Sequence, residues 1–240
     1  MVNIPTTEEL FEAMVYWGHR VSKRHPKMEP YLYTIKNNVH LIDLERTREC
    51  LKKALDFTQE IVSKNGQILF VGTKPAAKEI IKKYAEEVGM PYVNERWVGG
   101  TLTNFSVIST LIKKLKKMEE EKNSGDWEKY PKKEKKDLER ELSRLTILVG
   151  GLRNLEKIPE AIYLVDLRQE KTAVREAKRV KVKTIGLVDT NCDPTSVSYP
   201  IPGNDDAIKS IEIITKLIAE AIKGGKEEAK VKKTGKEKNK

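Results

Sequence analysis

The fold is decided by the stretch Ile68-Leu69-Phe70-Val71-Gly72-Thr73-Lys74-Pro75, which passes from an unbroken apolar run through a glycine to a helix-starting proline. Two further apolar runs, Ala161–Val165 and 184–188, flank a charged helical stretch over 170–180. Continuous apolar strands between helices are typical of a parallel sheet covered on both faces. The sequence therefore predicts an α/β domain.

Outward from this core, the N-terminal segment carries helix signals. Thr6-Thr7-Glu8-Glu9 is a capping box, which predicts a short amphipathic helix ending near Gly18. An irregular basic stretch follows, and the apolar run 39–44 predicts the first buried strand of the α/β domain. At the other end, a last helix is expected over about 205–222.

The stretch 105–145 interrupts the alternation of strands and helices. Apolar residues alternate there in steps of three and four, and polar breakers (123–126 and Pro131) divide them into two arms. The apolar positions are Ile108, Leu111, Leu115 and Met118 in one arm and Leu138, Leu142 and Leu145 in the other. Narrow apolar seams of this kind predict an antiparallel coiled-coil hairpin that protrudes from the domain.

The predicted organisation has four parts. Residues 1–38 form an N-terminal helix and basic loop, and residues 39–104 with 146–223 form the α/β domain. Residues 105–145 are the hairpin insertion. The lysine-rich stretch 224–240 lacks apolar periodicity and predicts a disordered basic tail.

The charge balance favours a polyanionic partner. Lys and Arg number 46 against 36 Asp and Glu, a formal net charge of +10. Because cations that neutralise phosphates release condensed counterions, nucleic acid is the leading partner class.

The N-terminus lacks the apolar stretch of a signal peptide and no segment approaches roughly 20 apolar residues, so a soluble, cytoplasmic protein without membrane contact is predicted. Cys50 and Cys192 are expected to be two reduced structural thiols.

Cations and rings are concentrated in the loop at 18–28. Arg20, Lys23, Arg24 and Lys27 lie there with His19 and His25, and Trp17 and Tyr31 flank them. Cations for phosphates and flat rings for stacking are what an RNA surface needs. A charged loop that is only solvated would show the same composition.

The turn Gly72-Thr73-Lys74 joins a strand to a helix start, a geometry that offers backbone N–H groups to a phosphate. It lacks the further glycines of a Walker loop or a dinucleotide fingerprint. An RNA phosphate, a small-molecule phosphate and an ordinary turn capped by Thr73 all fit this pattern.

Carboxylates follow the 184–188 strand, at Asp189, Asp193, Asp205 and Asp206. Four carboxylates could hold a divalent metal or perform acid–base chemistry, but Asp and Asn near prolines also cap helices and form turns. None of the three histidines has a partner at a spacing typical of a metal site or catalytic triad. We therefore predict no catalytic residues, no metal site and no cofactor.

The segment 94–104 is rich in hydrogen-bonding groups and contains Gly99-Gly100. Adjacent glycines permit close backbone approach to a ligand and equally permit a sharp turn. Both interpretations stay open on the residues alone.

In order and spacing, these motifs resemble the bacterial-type uS-two (uS2) family of small ribosomal subunit proteins over nearly all of the chain up to Ile222. The resemblance is carried by Gly18-His19, Pro26-Lys27-Met28, Ile42-Asp43-Leu44, Phe70-Val71-Gly72-Thr73-Lys74, the stretch 96–105, Asp189-Thr190-Asn191-Cys192-Asp193-Pro194 and Ile201-Pro202-Gly203-Asn204-Asp205-Asp206. The sequence departs from the family at His25, where a Trp is usual; the smaller imidazole there can stack on a base or pair with a phosphate.

This resemblance implies a flavodoxin-like α/β fold with an inserted coiled-coil hairpin and a structural, non-enzymatic role. It implies rRNA binding near the head–body junction, contact with neighbouring small-subunit proteins, help in anchoring the mRNA-capturing ribosomal protein S-one (S1), and no stable homo-oligomer. The RNA-binding residues expected are His19, Arg20, Lys23, Arg24, His25, Lys27, Lys74, Arg96, Trp97, Thr103 and Asn104.

One alternative from another class remains. A phosphate- or nucleotide-binding enzyme of Rossmann-like fold could use the Gly72-Thr73-Lys74 turn and the carboxylates at 189–193. Nucleotide binding that depended on Lys74 would favour it.

Overall fold

The structure, a computed structural model, describes residues 3–237. Within them the chain forms eight strands and seven helices. The strands are β1 Trp17–Arg20, β2 Leu32–Lys36, β3 Val39–Ile42, β4 Ile68–Val71, β5 Tyr92–Val93, β6 Ala161–Val165, β7 Lys183–Val188 and β8 Tyr199–Pro202. The helices are α1 Thr7–Glu12, α2 Leu44–Ser63, α3 Lys78–Glu87, α4 Phe105–Asn123, α5 Lys132–Val149, α6 Lys171–Arg179 and α7 Ile208–Glu237.

Five strands form a parallel sheet in the order β5-β4-β6-β7-β8. Counted within this sheet the order is 2-1-3-4-5, which is that of flavodoxin. Because side chains alternate across a strand, Phe70 and Tyr163 face one apolar core with α2, α3 and α7, whereas Leu69 and Ile162 face a second core with α4, α5 and α6. The predicted α/β class with a helix-covered parallel sheet is confirmed.

A second, three-stranded antiparallel sheet has the order β1-β3-β2. Val39–Ile42 lies at its centre, so the prediction that this run belongs to the parallel sheet is wrong. The error has a physical cause: a short apolar run looks the same in either sheet, and its partners β1 and β2 lie in a stretch without clear alternation.

Helix α1 begins at the predicted capping box. The Glu9 backbone N–H donates to Thr6 Oγ1 at 3.2 Å, and the Thr6 N–H donates to the Glu9 carboxylate at 2.8 Å. The helix ends at Glu12 rather than near Gly18, because Met14 adopts a φ of +60° and the chain turns into β1. Helix α3 likewise begins at Lys78, after a turn that contains Pro75.

Helices α4 and α5 occupy the predicted hairpin and are joined through a short 3₁₀ turn, Asp126–Lys129. Ile112, Leu115 and Met118 are buried between them, with Leu138 and Leu142 packed alongside. Trp127 is 3% exposed at the tip, a contact that the sequence did not reveal. The helical pair is present, and its coiled-coil packing stays a prediction.

Helix α7 extends past Ile222, where the sequence predicts its end, and runs to Glu237. The structure therefore does not confirm disorder over 224–237, and residues 238–240 lie outside the described residues. A Cβ at Gly225 would come within 2.9 Å of the Gln59 carbonyl oxygen. The absence of a side chain at Gly225 allows α7 to pack closely on α2.

Among residues 3–237, no helix combines the length and apolarity needed to cross a membrane.

Candidate nucleic-acid interface

The carboxyl edge of the parallel sheet collects the polar residues that the sequence marked. Gly72-Thr73-Lys74 follows β4, Asp166 follows β6, and Asp189 follows β7. The segment after β8 adds Asp205 and Asp206. Ligand sites of α/β proteins lie at this edge because the parallel strands all end there.

The basic loop, residues 18–28, is fixed to this edge through Thr190. The His19 backbone N–H donates to Thr190 Oγ1 at 2.9 Å, and the His25 N–H donates to the Thr190 carbonyl at 2.8 Å. A Cβ at Gly18 would lie 2.4 Å from the Thr190 methyl group, so this close approach requires glycine. These contacts therefore fix the basic loop against the edge of the sheet.

His19 points into the protein. Its Nδ1 lies 3.0 Å from Asp189 Oδ1, and its Nε2 lies 3.2 Å from Asn191 Nδ2 and 3.5 Å from Asp206 Oδ2. The hydrogen bond to Asp189 raises the pKa of His19 above its usual value, and the charges of Asp189, Asp205 and Asp206 outweigh the opposing effect of burial. Both ring nitrogens already have partners within the protein.

Lys74 is surrounded by carboxylates. Its Nζ lies 2.8 Å from Asp205, 2.5 Å from Asp206 and 3.3 Å from Asp166. Burial would lower the pKa of Lys74, but the hydrogen bonds to Asp205 and Asp206 outweigh it and raise the pKa. Burial, with the charges of Asp189 and Asp166, raises the pKa of Asp205. The Lys74 charge is thus used to offset internal carboxylates.

The N–H group that could cradle a phosphate is also occupied. Glu170 accepts from the Thr73 backbone N–H at 2.8 Å and from the Thr73 hydroxyl at 2.6 Å. This glutamate is 2% exposed, and burial raises its pKa. A carboxylate of the protein stands where a bound phosphate would accept these bonds.

Two groups of side chains have metal-ligating atoms within 4.8 Å of one another. They are His19 with Asp189 and Asp206, and Asp166 with Cys192 and Asp205. Such donors could hold a divalent ion. Lys74 already supplies positive charge to three of these carboxylates, which reduces their need for one.

Within the basic loop the cations fall into two kinds. Lys27 Nζ lies 2.8 Å from Asp193 and 2.9 Å from Thr195 Oγ1, and Arg24 lies 3.6 Å from Glu29. Burial would raise the pKa of Asp193, but its bond to Lys27 and those from Thr195 lower it to about 2. Arg20 and Lys23 are exposed and form no ion pair with any residue of the described chain.

The ring of His25 is half-buried, and its Nδ1 accepts the Lys27 N–H at 3.3 Å. That bond caps the 3₁₀ turn Pro26–Tyr31. His25 therefore shapes the loop from within.

The segment 96–104 is organised by Glu176 of α6. Its carboxylate accepts from the Trp97 indole at 3.0 Å, from the N–H groups of Gly100, Leu102 and Thr103 at 2.8, 3.0 and 3.2 Å, and from the Thr103 hydroxyl at 3.1 Å. Burial would raise the pKa of Glu176, yet the bonds from the Trp97 indole and the three backbone N–H groups lower it. The segment is thus a preformed turn around one buried anion.

The expected RNA contacts of this segment divide accordingly. Trp97 is 9% exposed and its indole N–H donates to Glu176, whereas Thr103 is exposed but donates twice to the same carboxylate. Arg96 and Asn104 are exposed, and Arg96 forms no ion pair among residues 3–237. Arg96 is the cation that this turn leaves available.

The structure brings the basic loop, Lys74 and the carboxylates to one edge, while the 96–104 turn is arranged by α6. The sequence did not single out Asp166, Glu170 or Glu176. A signal existed for the two glutamates: Glu176 falls on the apolar face of α6 beside Ala173 and Ala177, and Glu170, which immediately precedes α6, continues that face by one turn. A charged residue on a buried helix face implies an internal partner.

Comparison of the sequence with known proteins identifies a family that covers most of the chain. A family model described as ribosomal protein S2 matches residues 10–225. The chain is 46% identical over 220 residues to the small ribosomal subunit protein uS2 of Dictyoglomus thermophilum, an alignment that covers 92% of this chain and 89% of that protein.

Proposed function

Because the chain belongs to the ribosomal protein S2 family, we propose that it binds small-subunit rRNA, with exposed cations of the basic loop contacting phosphates. Family membership makes the chain a structural constituent of the small ribosomal subunit and not an enzyme. It acts in translation, in the cytoplasm, with rRNA and other ribosomal proteins as partners.

One observation carries the rRNA proposal: a rigid loop presents unpaired cations. Arg20 and Lys23 are exposed without ion pairs in the described chain, on a loop that two backbone bonds fix to Thr190. Cations held in place lose less conformational entropy when they meet phosphates than cations on a mobile segment. Arg96 extends the same chemistry to the 96–104 turn.

The internal partners assign different roles to the other expected contacts. Four of these residues support the interface from beneath, since their polar groups bond within the protein: His19, His25, Lys74 and Trp97. Thr103 is exposed, but its hydroxyl already donates to Glu176. Arg24 and Lys27 add positive charge to the rRNA-binding surface, although each already forms an ion pair, with Glu29 and Asp193 respectively. Asn104 is exposed beside Arg96 on the same turn.

Further assignments rest on the family resemblance. We propose that the chain lies near the head–body junction of the subunit, helps to anchor S1, and acts as one copy rather than as a homo-oligomer. We also propose coiled-coil packing for α4 and α5.

The experiment measures binding of the full chain to isolated small-subunit rRNA across a salt series. Wild type should show a steep loss of affinity with salt, and Arg20→Gln with Lys23→Gln should reduce the slope of log K against log[salt] by about 1.4 to 1.8, because each lost phosphate contact removes about 0.7 to 0.9. The matched control is Lys52→Gln with Lys53→Gln, two exposed lysines on α2 without ion pairs among residues 3–237.

Salt-independent binding, or equal slopes for the two double variants, would contradict the proposal. Sedimentation of lysates at low and high salt adds the cellular counterpart: the chain should travel with small subunits at low salt and leave them at high salt. S1 followed in the same fractions should decrease on subunits that have lost the chain.

A further inference from the structure

The exposed residues of α6 and of the short segments on either side of it are almost wholly cationic. Nine residues between 168 and 183 are exposed, of which seven are Lys or Arg and none is Asp or Glu. We call these seven the α6 face: Arg168, Lys171, Arg175, Lys178, Arg179, Lys181 and Lys183. An ordinary solvated helix mixes both signs, since opposite charges along a helix stabilise it.

The acidic residues of this stretch are turned the other way. Glu170 is 2% exposed and binds Thr73, and Glu176 is 8% exposed and binds the 96–104 turn. No residue of the α6 face forms an ion pair with another residue of the described chain. The positive charge of the face is therefore not neutralised within the protein.

Four of the cations line a cleft. Arg168, Lys171, Arg175 and Lys178 stand along one side of a cleft of about 400 Å³, and the other side is the turn at 191–196. From Lys171 to Lys178 the spacing of four and three residues keeps the side chains in one row roughly 10 Å long. The floor is apolar, with Leu167, Val174 and Cys192.

Among the described residues, the one carboxylate on the other side of the cleft, that of Asp193, is already paired with a lysine outside the α6 face. Asp193 lines the cleft, but Lys27 of the basic loop lies 2.8 Å from its carboxylate. Through this pair the α6 face adjoins the loop for which rRNA contact is proposed. The two basic surfaces are joined at Asp193.

We propose that the α6 face binds the phosphate backbone of rRNA and extends the interface beyond the basic loop. This inference rests on the proposed rRNA-binding function. A row of unpaired cations matches the regular charge of a polynucleotide strand, and Arg168 and Arg175 can each bind a phosphate with two N–H groups. The contact reads charge and not sequence.

The test compares two triple variants of the full chain, each three charges less positive than wild type. The first is Lys171→Gln, Arg175→Gln and Lys178→Gln. The second, on α2 and α3, is Lys52→Gln, Lys53→Gln and Lys82→Gln, at exposed lysines without ion pairs among residues 3–237. Binding to isolated small-subunit rRNA is measured by fluorescence anisotropy from 0.05 to 0.5 M salt, a range set by the expected screening.

For the α6 variant we expect weaker binding at low salt and a slope of log K against log[salt] reduced by about 2 to 3, at about 0.7 to 0.9 per lost phosphate contact. The control should keep the wild-type slope. A third variant that retains charge, Lys171→Arg with Arg175→Lys and Lys178→Arg, should bind like wild type, which separates charge from damage to the fold. Circular dichroism verifies that all three are folded.

Equal slopes for the α6 variant and its control, with wild type still binding in a salt-dependent way, would overturn this inference and leave the proposed function standing. Normal binding to isolated rRNA with loss from assembled small subunits would also overturn it, because the face would then contact a protein. Failure of wild type to bind rRNA would instead refute the proposed function.

Discussion

At the scale of single residues, one buried carboxylate determines the shape of a whole segment. Glu176 accepts five hydrogen bonds from the 96–104 turn. A carboxylate so fully bonded is stabilised in its charged form, and removing it would leave several buried donors without partners. The turn that presents Arg96 therefore depends on a residue in another element.

We expect Glu176→Gln to lower the free energy of unfolding by roughly 3 kcal/mol. The substitution replaces one carboxylate oxygen, which accepts hydrogen bonds, by an amide NH₂ group, which is itself a donor and would face the N–H donors of the turn. Urea titration followed by circular dichroism measures this change. The control is Glu139→Gln on α5, at an exposed glutamate without an ion pair in the described chain, which should change the value by less than about 0.5 kcal/mol. Equal effects of the two substitutions would refute the assigned role.

His19 gives the protein a pH dependence of defined sign. Its pKa is raised in the folded chain, chiefly by the hydrogen bond to Asp189, above the value of about 6.5 expected when unfolded. The charged imidazole therefore contributes stability that is fully present below about pH 6.5 and is lost as the pH rises through the raised pKa.

The difference in unfolding free energy between wild type and His19→Gln should accordingly be largest near pH 6 and shrink towards pH 9. Using the difference removes the titration of groups common to both proteins. Denaturant titrations at intervals of half a pH unit provide the data. A difference that stayed constant across this range would show that His19 does not titrate against Asp189.

At the scale of elements, the α4–α5 hairpin is held by a narrow buried seam. Leu115 is fully buried, whereas Val107 on the same helix is 51% exposed. We expect Leu115→Ala to lower the free energy of unfolding by roughly 3 kcal/mol through lost burial and a new cavity. Val107→Ala should cost less than about 1 kcal/mol, since an exposed side chain leaves no cavity. Urea titrations measure both values. Equal decreases in unfolding free energy for the two variants would refute a packed seam.

The hairpin and α7 also show which element signals are reliable. The break at Gly125 was predicted from turn residues, and its φ of +79° confirms the turn. Gly225, by contrast, lies within helix α7, where a Cβ would come within 2.9 Å of the Gln59 carbonyl oxygen of α2. Glycine marks a special backbone position without saying whether a turn or a neighbour requires it.

At the scale of the whole molecule, the sequence predicted the centre of the parallel sheet and missed its edges. The three fully apolar runs that became β4, β6 and β7 have a strong signal because they are covered on both faces. Strand β5 has two residues, and β8 contains Pro200 and Pro202, which are tolerated because it is an edge strand. Neither pattern distinguishes a strand from a loop.

The site was predicted as a set of residue types and not as a set of contacts. The loop's cations were visible in the sequence, but the carboxylates that bind Lys27 and Lys74 lie 166 and 131 residues away from them. Such pairings depend on which strand ends meet, which only the folded sheet determines. Hence the sequence could not separate exposed cations such as Arg20 from the internally paired Lys74.

The attachment of the basic loop to Thr190 also imposes an order on biosynthesis. His19 and Thr190 are separated by 171 residues, so at about 5 to 20 residues per second the loop is synthesised roughly 10 to 30 s before its anchor. During that interval the nascent chain carries the loop's cations without the scaffold that positions them. The surface for which rRNA binding is proposed is thus completed only when the C-terminal half has folded, which favours finished chains over fragments for incorporation into a subunit.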